Sequence, residues 1–214
     1  MERLLCVAIG YLFGLIQTGY IYGKIKNVDI RKHGSGNAGT TNALRTLGWK
    51  AGVITFVGDC MKCVFAVLVV QLLFLQEPRQ MLYSMYAGLG AVLGHNFPFY
   101  LKFKGGKGIA STAGLILALH PDMFLIVAVV FIGIVLLTQY VSLGSIIIMI
   151  LFVVMVVLKG EFGMLLLPYR DLYEYYAIAI VLMLLAIWRH RANIKRLING
   201  TENKTDIRKI GKKS

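Results

Sequence analysis

Two glycine-rich stretches hold most of the residues equipped for chemistry. The first, His33–Arg45, reads HGSGNAGTTNALR and reaches no bulky apolar residue before Leu44. Gly34, Gly36 and Gly39 permit left-handed backbone and close approach. Ser35, Asn37, Thr40, Thr41 and Asn42 offer neutral donors and acceptors. Arg45 brings a rigid fork of donors suited to phosphate. Successive N–H groups in such a loop form an anion-binding concavity; the same composition also suits a solvated, turn-rich connector. The second stretch, Gly94–Thr112, reads GHNFPFYLKFKGGKGIAST. It sets His95 before Phe97, Phe99, Tyr100 and Phe103, then interleaves Lys102, Lys104 and Lys107 with Gly105, Gly106 and Gly108. Ser142 lies in an uncharged polar interruption, TQYVSLGS, and His190 and Asn193 in HRANIKRLINGTE.

The elements that must position these residues are apolar. The 214-residue chain is 57% hydrophobic and 15% charged, against about 25% charged in an ordinary soluble domain. Long apolar runs recur throughout, which predicts an all-α, polytopic membrane helix bundle. No long polar linker divides it, so residues 1–214 read as a single integral membrane domain. Seven spans are predicted: Leu4–Gly23, Ala51–Leu75, Met81–Phe99, Ile109–Leu119, Met123–Leu137, Leu143–Leu158 and Tyr176–Trp188. The fourth and fifth fall short of the ~20 residues of a full crossing and suit either two tilted short helices or one re-entrant hairpin. The first lacks an Ala-x-Ala-like cleavage site and reads as a retained span.

Asp59 and Lys62, three residues apart in the second span, are expected to pair facing the bundle interior, with a direct site role as the alternative. Cys60-x-x-Cys63 has no second pair or nearby His, so these two and Cys6 read as small buried hydrophobes.

The net charge is +13. A nucleic-acid partner is not expected, because the basic residues sit in loops and tail and no nucleic-acid module is present. With seven crossings, one side holds six basic residues in Lys24–Lys50, three in Lys102–Lys107 and nine in the tail; the other holds only Arg3, Arg79, Lys159 and Arg170. The positive-inside rule then puts the N-terminus outside and the C-terminus in the cytoplasm. Both glycine-rich stretches, TQYVSLGS and the tail converge on the cytoplasmic face.

Such a set suits phosphate held by backbone amides and cations, with the apolar flanks admitting a lipid chain from the bilayer. Other chemistries are disfavoured. GGKG lacks the earlier Gly and the following Ser or Thr of a Walker loop. No His is followed five positions later by Asp, no paired aspartates suggest a metal-dependent phosphatidyl transferase, and no His/Cys cluster suggests zinc. No metal or cofactor is expected.

HGSGNAGTTNALR, GHNFPFYLKFKGGKGIAST and HRANIKRLINGTE resemble, in order, the three signature blocks of the bacterial acyl-phosphate:glycerol-3-phosphate acyltransferases. Ala38 stands where the first block commonly has Pro, Thr40 where it has Ala, and Ser111 extends the second block's usual ending. The resemblance implies transfer of an acyl chain from acyl phosphate to the 1-hydroxyl of glycerol 3-phosphate, giving lysophosphatidic acid and phosphate. This is the first step of phospholipid biosynthesis, in the bacterial inner membrane with the site facing the cytoplasm, and a monomer is expected.

The resemblance also implies roles. Gly34, Ser35, Gly36, Asn37, Gly39 and Thr41, with Asn42 beside them, would cradle the phosphate of the acyl donor. Arg45 and Lys104 would clamp phosphate and neutralise developing charge. His95, Gly105, Gly106 and Lys107 would complete the substrate contacts. Ser142, His190 and Asn193 would orient glycerol 3-phosphate. His190 is a candidate general base; the alternative is a substrate phosphate as proton acceptor. Ser35 is the one serious nucleophile, but direct transfer without an acyl-enzyme is expected.

Plainer roles stand beside these: headgroup anchors for Lys104 and Lys107, a tie between loop and third span for His95, and an N-cap of the sixth span for Ser142. Asn193 could instead tie down the tail, and His190 could be an interfacial residue. Two other functions remain open: a membrane transporter of a phosphorylated metabolite, which needs its site near the midplane, and a lipid-binding scaffold.

Overall fold

The computed structural model describes residues 1–205, and the basic stretch at 207–214 that contributes to the charge asymmetry lies outside the described residues. The described residues form ten α-helices and three short 3-10 turns, with no strand. They divide into two compact units, residues 1–120 and residues from 121 onward.

In the first unit the predicted first span is not one continuous helix. Helix α1 (Glu2–Gly14) stops, the chain unwinds at Leu15–Gln17, and α2 (Thr18–Ile25) resumes. Helices α3 (Thr40–Leu47), α4 (Trp49–Leu73), α5 (Gln80–Asn96) and α6 (Ile109–Leu119) follow. The closest packing is between α1 and α5, and small residues allow it. A Cβ on Gly10 or Gly14 would strike the Ala87 or Ala91 carbonyl, and one on Gly90 or Gly94 would strike the carbonyl of Val7 or Tyr11. Two glycines four residues apart thus face their counterparts on the other helix, the small-residue spacing that lets membrane helices approach closely. Gly114 of α6 lies against the Cys60 carbonyl of α4. Cys6, Cys60 and Cys63 are free and buried, as small core residues.

The second unit holds α7 (Pro121–Thr138), α8 (Val141–Glu161), α9 (Leu172–Arg189) and α10 (Arg191–Ile198). Pro121 opens α7, where its missing N–H costs nothing. Lys159 Nζ lies 2.8 Å from Asp122 Oδ2, tying the end of α8 to the start of α7. Gly160 admits the Tyr176 ring of α9 against α8.

Five helical segments are long and apolar enough to cross a membrane: Glu2–Ile25 taken across its break, α4, α7, α8 and Tyr169–Arg189. The fifth predicted span is therefore longer than its apolar run, at 18 residues, whereas the fourth is only 11 residues long. Helix α5 has 17 residues, about 25 Å at 1.5 Å per residue. Most of α5 is buried within the first unit, so protein rather than lipid surrounds it. The seventh span begins earlier than predicted, because Leu172 and Tyr175 are buried in the helix rather than in a loop.

Candidate active site

The first glycine-rich stretch is a short, hydrogen-bonded loop leading into α3. Asp29 fixes its start: Oδ1 accepts from the Arg31 backbone N–H at 3.1 Å and from Nε at 3.0 Å, and Oδ2 accepts from Nη2 at 2.9 Å. The Arg31 guanidinium also lies 4.5 Å from the centre of the Tyr20 ring. The side-chain bonds from Arg31 hold the Asp29 carboxyl at about 2, below its ordinary value. Gly34 and Gly36 then turn with φ of 59° and 70°, a region glycine enters without penalty.

Asn42, buried in α3, closes the loop from beneath. Its Oδ1 accepts from the Ser35 N–H at 2.8 Å, and its Nδ2 faces the carbonyls of Ile30 at 2.8 Å, His33 at 3.1 Å and Asn37 at 2.8 Å. A side chain at Gly34 would collide with Asn42 Oδ1. The Asn37 side chain accepts from the Gly39 N–H at 2.9 Å, just ahead of α3. Gly34, Ser35 and Gly36 are exposed, as is Arg45 one helical turn beyond Asn42; Thr41 is half-buried.

The second stretch follows α5. The Gly106 N–H donates to the His95 carbonyl at 3.0 Å and the Gly105 N–H to the Asn96 carbonyl at 3.1 Å. Both glycines are buried, and a Cβ on Gly106 would overlap His95 Nε2. Between them and α5 the chain makes a strained turn, with Lys102 and Phe103 both left-handed at φ of 54° and 59°. Lys104 is exposed and Lys107 half-buried. Tyr100 Oη donates to the Leu15 carbonyl at 2.7 Å, anchoring this loop to the break in the first span.

In the second unit three polar side chains gather around a carboxylate, two of them expected site residues. Ser142 Oγ donates to Glu202 Oε1 at 2.9 Å, Asn193 Nδ2 to the same oxygen at 2.6 Å, and Arg196 Nε to Oε2 at 2.7 Å. Burial pushes the Glu202 carboxyl up, but the bonds from Asn193, Arg196 and Ser142 and the charge of Arg196 outweigh it, so its value is lowered. Buried His190 places Nδ1 2.8 Å from the Ala186 carbonyl. Donation there leaves Nε2 carrying the lone pair of the neutral ring. Ser142 lies inside α8, whose N-cap is Tyr140, so it does not cap that helix.

The family model described as glycerol-3-phosphate acyltransferase matches residues 4–200, running across both units. The chain belongs to the glycerol-3-phosphate acyltransferase family. It is 43% identical over 213 residues to the glycerol-3-phosphate acyltransferase of Clostridioides difficile, covering 98% of this chain and 96% of that one. Two crystal structures of PlsY (YgiH), an integral membrane glycerol 3-phosphate acyltransferase, are similar to it. The glycerol 3-phosphate form has a TM-score of 0.84 and the lysophosphatidic acid form 0.82, each at 36% identity and covering 98% of both chains.

Within this acyltransferase the expected site residues fall into two groups. The first unit carries Gly34, Ser35, Gly36, Asn37, Gly39, Thr41, Asn42, Arg45, His95, Lys104, Gly105, Gly106 and Lys107; the second carries Ser142, His190 and Asn193. Asn42 is committed to the backbone of its own loop. The Gly105 and Gly106 N–H groups donate to the end of α5 rather than outward. Sequence reading missed Gln17, Tyr100 and Glu202 as organising residues. A lone Gln in an apolar run was a usable signal for the first, and the last residue of the third block was one for Glu202.

Proposed function

We propose that this acyltransferase moves an acyl group from an acyl phosphate to the 1-hydroxyl of glycerol 3-phosphate, releasing lysophosphatidic acid and inorganic phosphate, at the step that opens phospholipid synthesis. The observation that carries this reading is the end-to-end likeness to PlsY structures in glycerol 3-phosphate and lysophosphatidic acid forms, the acceptor and product of such a transfer. The exposed Gly34–Gly36 turn supports a phosphate donor through the Ser35 hydroxyl, in the loop that leads into α3, the helix that carries exposed Arg45.

In this reading the glycerol oxygen attacks the acyl carbonyl carbon, the carbonyl–phosphate oxygen bond breaks, and phosphate leaves with the bonding pair. Placing the hydroxyl in line with the carbonyl supplies much of the acceleration. Arg45 and Lys104 neutralise the charge that develops. Ser142, Asn193 and His190 orient the acceptor, and the hydroxyl proton passes to His190 Nε2 or to a substrate phosphate. No acyl-enzyme forms, so trapping an acyl group on Ser35 would overturn direct transfer.

The protein works as a single inner-membrane domain and a monomer, with α5 and α6 completing seven crossings and the loops facing the cytoplasm. A transport role gains no support from the charges buried in α4, because Lys62 Nζ is held by three fixed partners, the Ile16 carbonyl, Asp59 and His95.

The test is formation of lysophosphatidic acid and phosphate by purified protein given acyl phosphate and glycerol 3-phosphate, with and without chelator. The expected result is turnover indifferent to chelator and reduced at least about hundredfold by Arg45→Ala, the scale of losing one oriented donor to developing charge. Absence of turnover by folded wild type refutes the reading.

A further inference from the structure

A lysine inside a membrane-spanning helix is costly and rarely without purpose. Lys62 of α4 is buried, and its Nζ has three partners on three elements: the Ile16 carbonyl at 2.6 Å in the break of the first span, Asp59 Oδ1 at 2.8 Å in its own helix, and His95 Nδ1 at 2.8 Å in α5. An ammonium has three donors and no acceptor. With Lys62 as the ammonium that its ion pair with Asp59 calls for, His95 Nδ1 is the acceptor and the ring proton falls on Nε2, the atom packed against Gly106.

A charge-balancing pair does not require this arrangement. Asp59 Oδ2 has no hydrogen-bond partner among the described residues, so the ammonium spends its third donor on an imidazole rather than on its counter-ion. The break is held in the same way along its length. Gln17 Nε2 reaches the Gly14 carbonyl at 3.2 Å and the His95 carbonyl at 3.1 Å, and Tyr100 Oη takes the Leu15 carbonyl. The three carbonyls freed by unwinding Gly14–Ile16 are thus bonded by side chains, which lead to the second glycine-rich loop or to the end of α5 that carries it.

We propose that Lys62 is a positioning residue for acyl transfer: its ammonium joins the broken first span to His95 and, through the imidazole, sets the backbone of Gly105–Lys107. This inference rests on the acyltransferase reading.

The test compares wild type, Lys62→Met and the charge-balanced double variant Asp59→Asn/Lys62→Met, with nitrogen-15 spectra of the histidine rings. The chain has four histidines, and loss of a signal in His95→Asn assigns the relevant one. In wild type the His95 ring is expected to be neutral with its proton on Nε2, and in Lys62→Met its nitrogen shifts should move. The double variant should keep a cooperative thermal transition yet lose at least about tenfold in kcat/KM, a loss read as transition-state stabilisation. Wild-type turnover from the double variant would overturn the proposal, because charge balance alone would then suffice. So would a His95 proton on Nδ1 in wild type, a readout that stands even if the variants fail to fold. His95 shifts unchanged by Lys62→Met in folded protein would overturn it as well. If wild type shows no turnover, the acyltransferase reading fails, and the histidine spectra still decide whether Lys62 fixes the ring.

Discussion

Asn42→Ala is the sharpest perturbation the first loop offers. The substitution deletes one accepted hydrogen bond, from Ser35, and a donor pair shared among the carbonyls of Ile30, His33 and Asn37. Three bonds at about 1 kcal/mol net each give about 3 kcal/mol, and a buried group left unsatisfied costs about 1–3 kcal/mol. These partners all belong to the loop or its approach, so the loss falls on loop order rather than on global folding. A loss of about 3 kcal/mol in preorganisation corresponds to roughly a hundredfold in kcat/KM. A global loss of that size would lower Tm by about 6–12 °C in a chain of this length, and the expected shift is smaller.

Two companions isolate the cause. Asn42→Asp conserves volume and Oδ1 but turns a lone pair toward three carbonyls, so it should be at least as damaging. Gly34→Ala should couple to Asn42→Ala, because the new methyl collides with Asn42 Oδ1 in wild type and meets a space once that side chain has been truncated. The double-mutant cycle should show a coupling of about 1 kcal/mol or more, as for residues in direct contact. The assay is phosphate release beside thermal unfolding. An Asn42→Ala protein within about threefold of wild type would refute the idea that this amide builds the site.

Two further outcomes follow. Asp29 is held at about 2 by Arg31, below its unfolded value of about 3.9, so its contribution is fully present above about pH 4 and lost as pH falls through about 2. Discounted for partial exposure it amounts to about 1 kcal/mol, and Asp29→Asn should speed hydrogen exchange of the Arg31 amide at neutral pH. Glu202→Gln removes the charge facing Arg196 and sets an amide among three donors, which should cost about 1–3 kcal/mol. Because Ser142 and Asn193 share its Oε1, the loss in kcat/KM should be non-additive with Ser142→Ala, measured by turnover at saturating acyl phosphate.

Local patterns were legible in the sequence, and long-range partners were not. The Asp59–Lys62 pair is visible as an i,i+3 spacing, but its third and fourth members, His95 and Ile16, come from other elements that only folding brings near. Asn42 reads as one more polar residue in a phosphate-type loop. Its structural task shows only once the Gly34 turn folds back above α3. The break in the first span was hidden because Leu15 and Ile16 are apolar, and hydropathy does not register unwinding. The Gly10/Gly14 and Gly90/Gly94 spacings passed unread, and their meaning as helix contacts shows only once α1 and α5 pack together. The second unit's cluster was half-legible, since Ser142 and Asn193 were marked as polar residues at a site while the carboxylate joining them was not.

That carboxylate bears on the proton. Glu202 is the single acidic residue in the three signature blocks, and it stands beside two residues proposed to orient the acceptor. Its environment removes it from the role of proton acceptor. Both oxygens accept strong bonds, from Ser142 and Asn193 on one and Arg196 on the other, and the net effect lowers its value. A carboxylate stabilised in its charged form is a weaker base than an ordinary one. His190 is arranged differently: its Nδ1 lies 2.8 Å from the Ala186 carbonyl, and the neutral tautomer that donates there carries its lone pair on Nε2. The division of labour is therefore physical. Glu202 holds Ser142, Asn193 and Arg196 as an ionised carboxylate, and in the proposed reaction proton acceptance is assigned to His190 or to a phosphate of the substrates themselves.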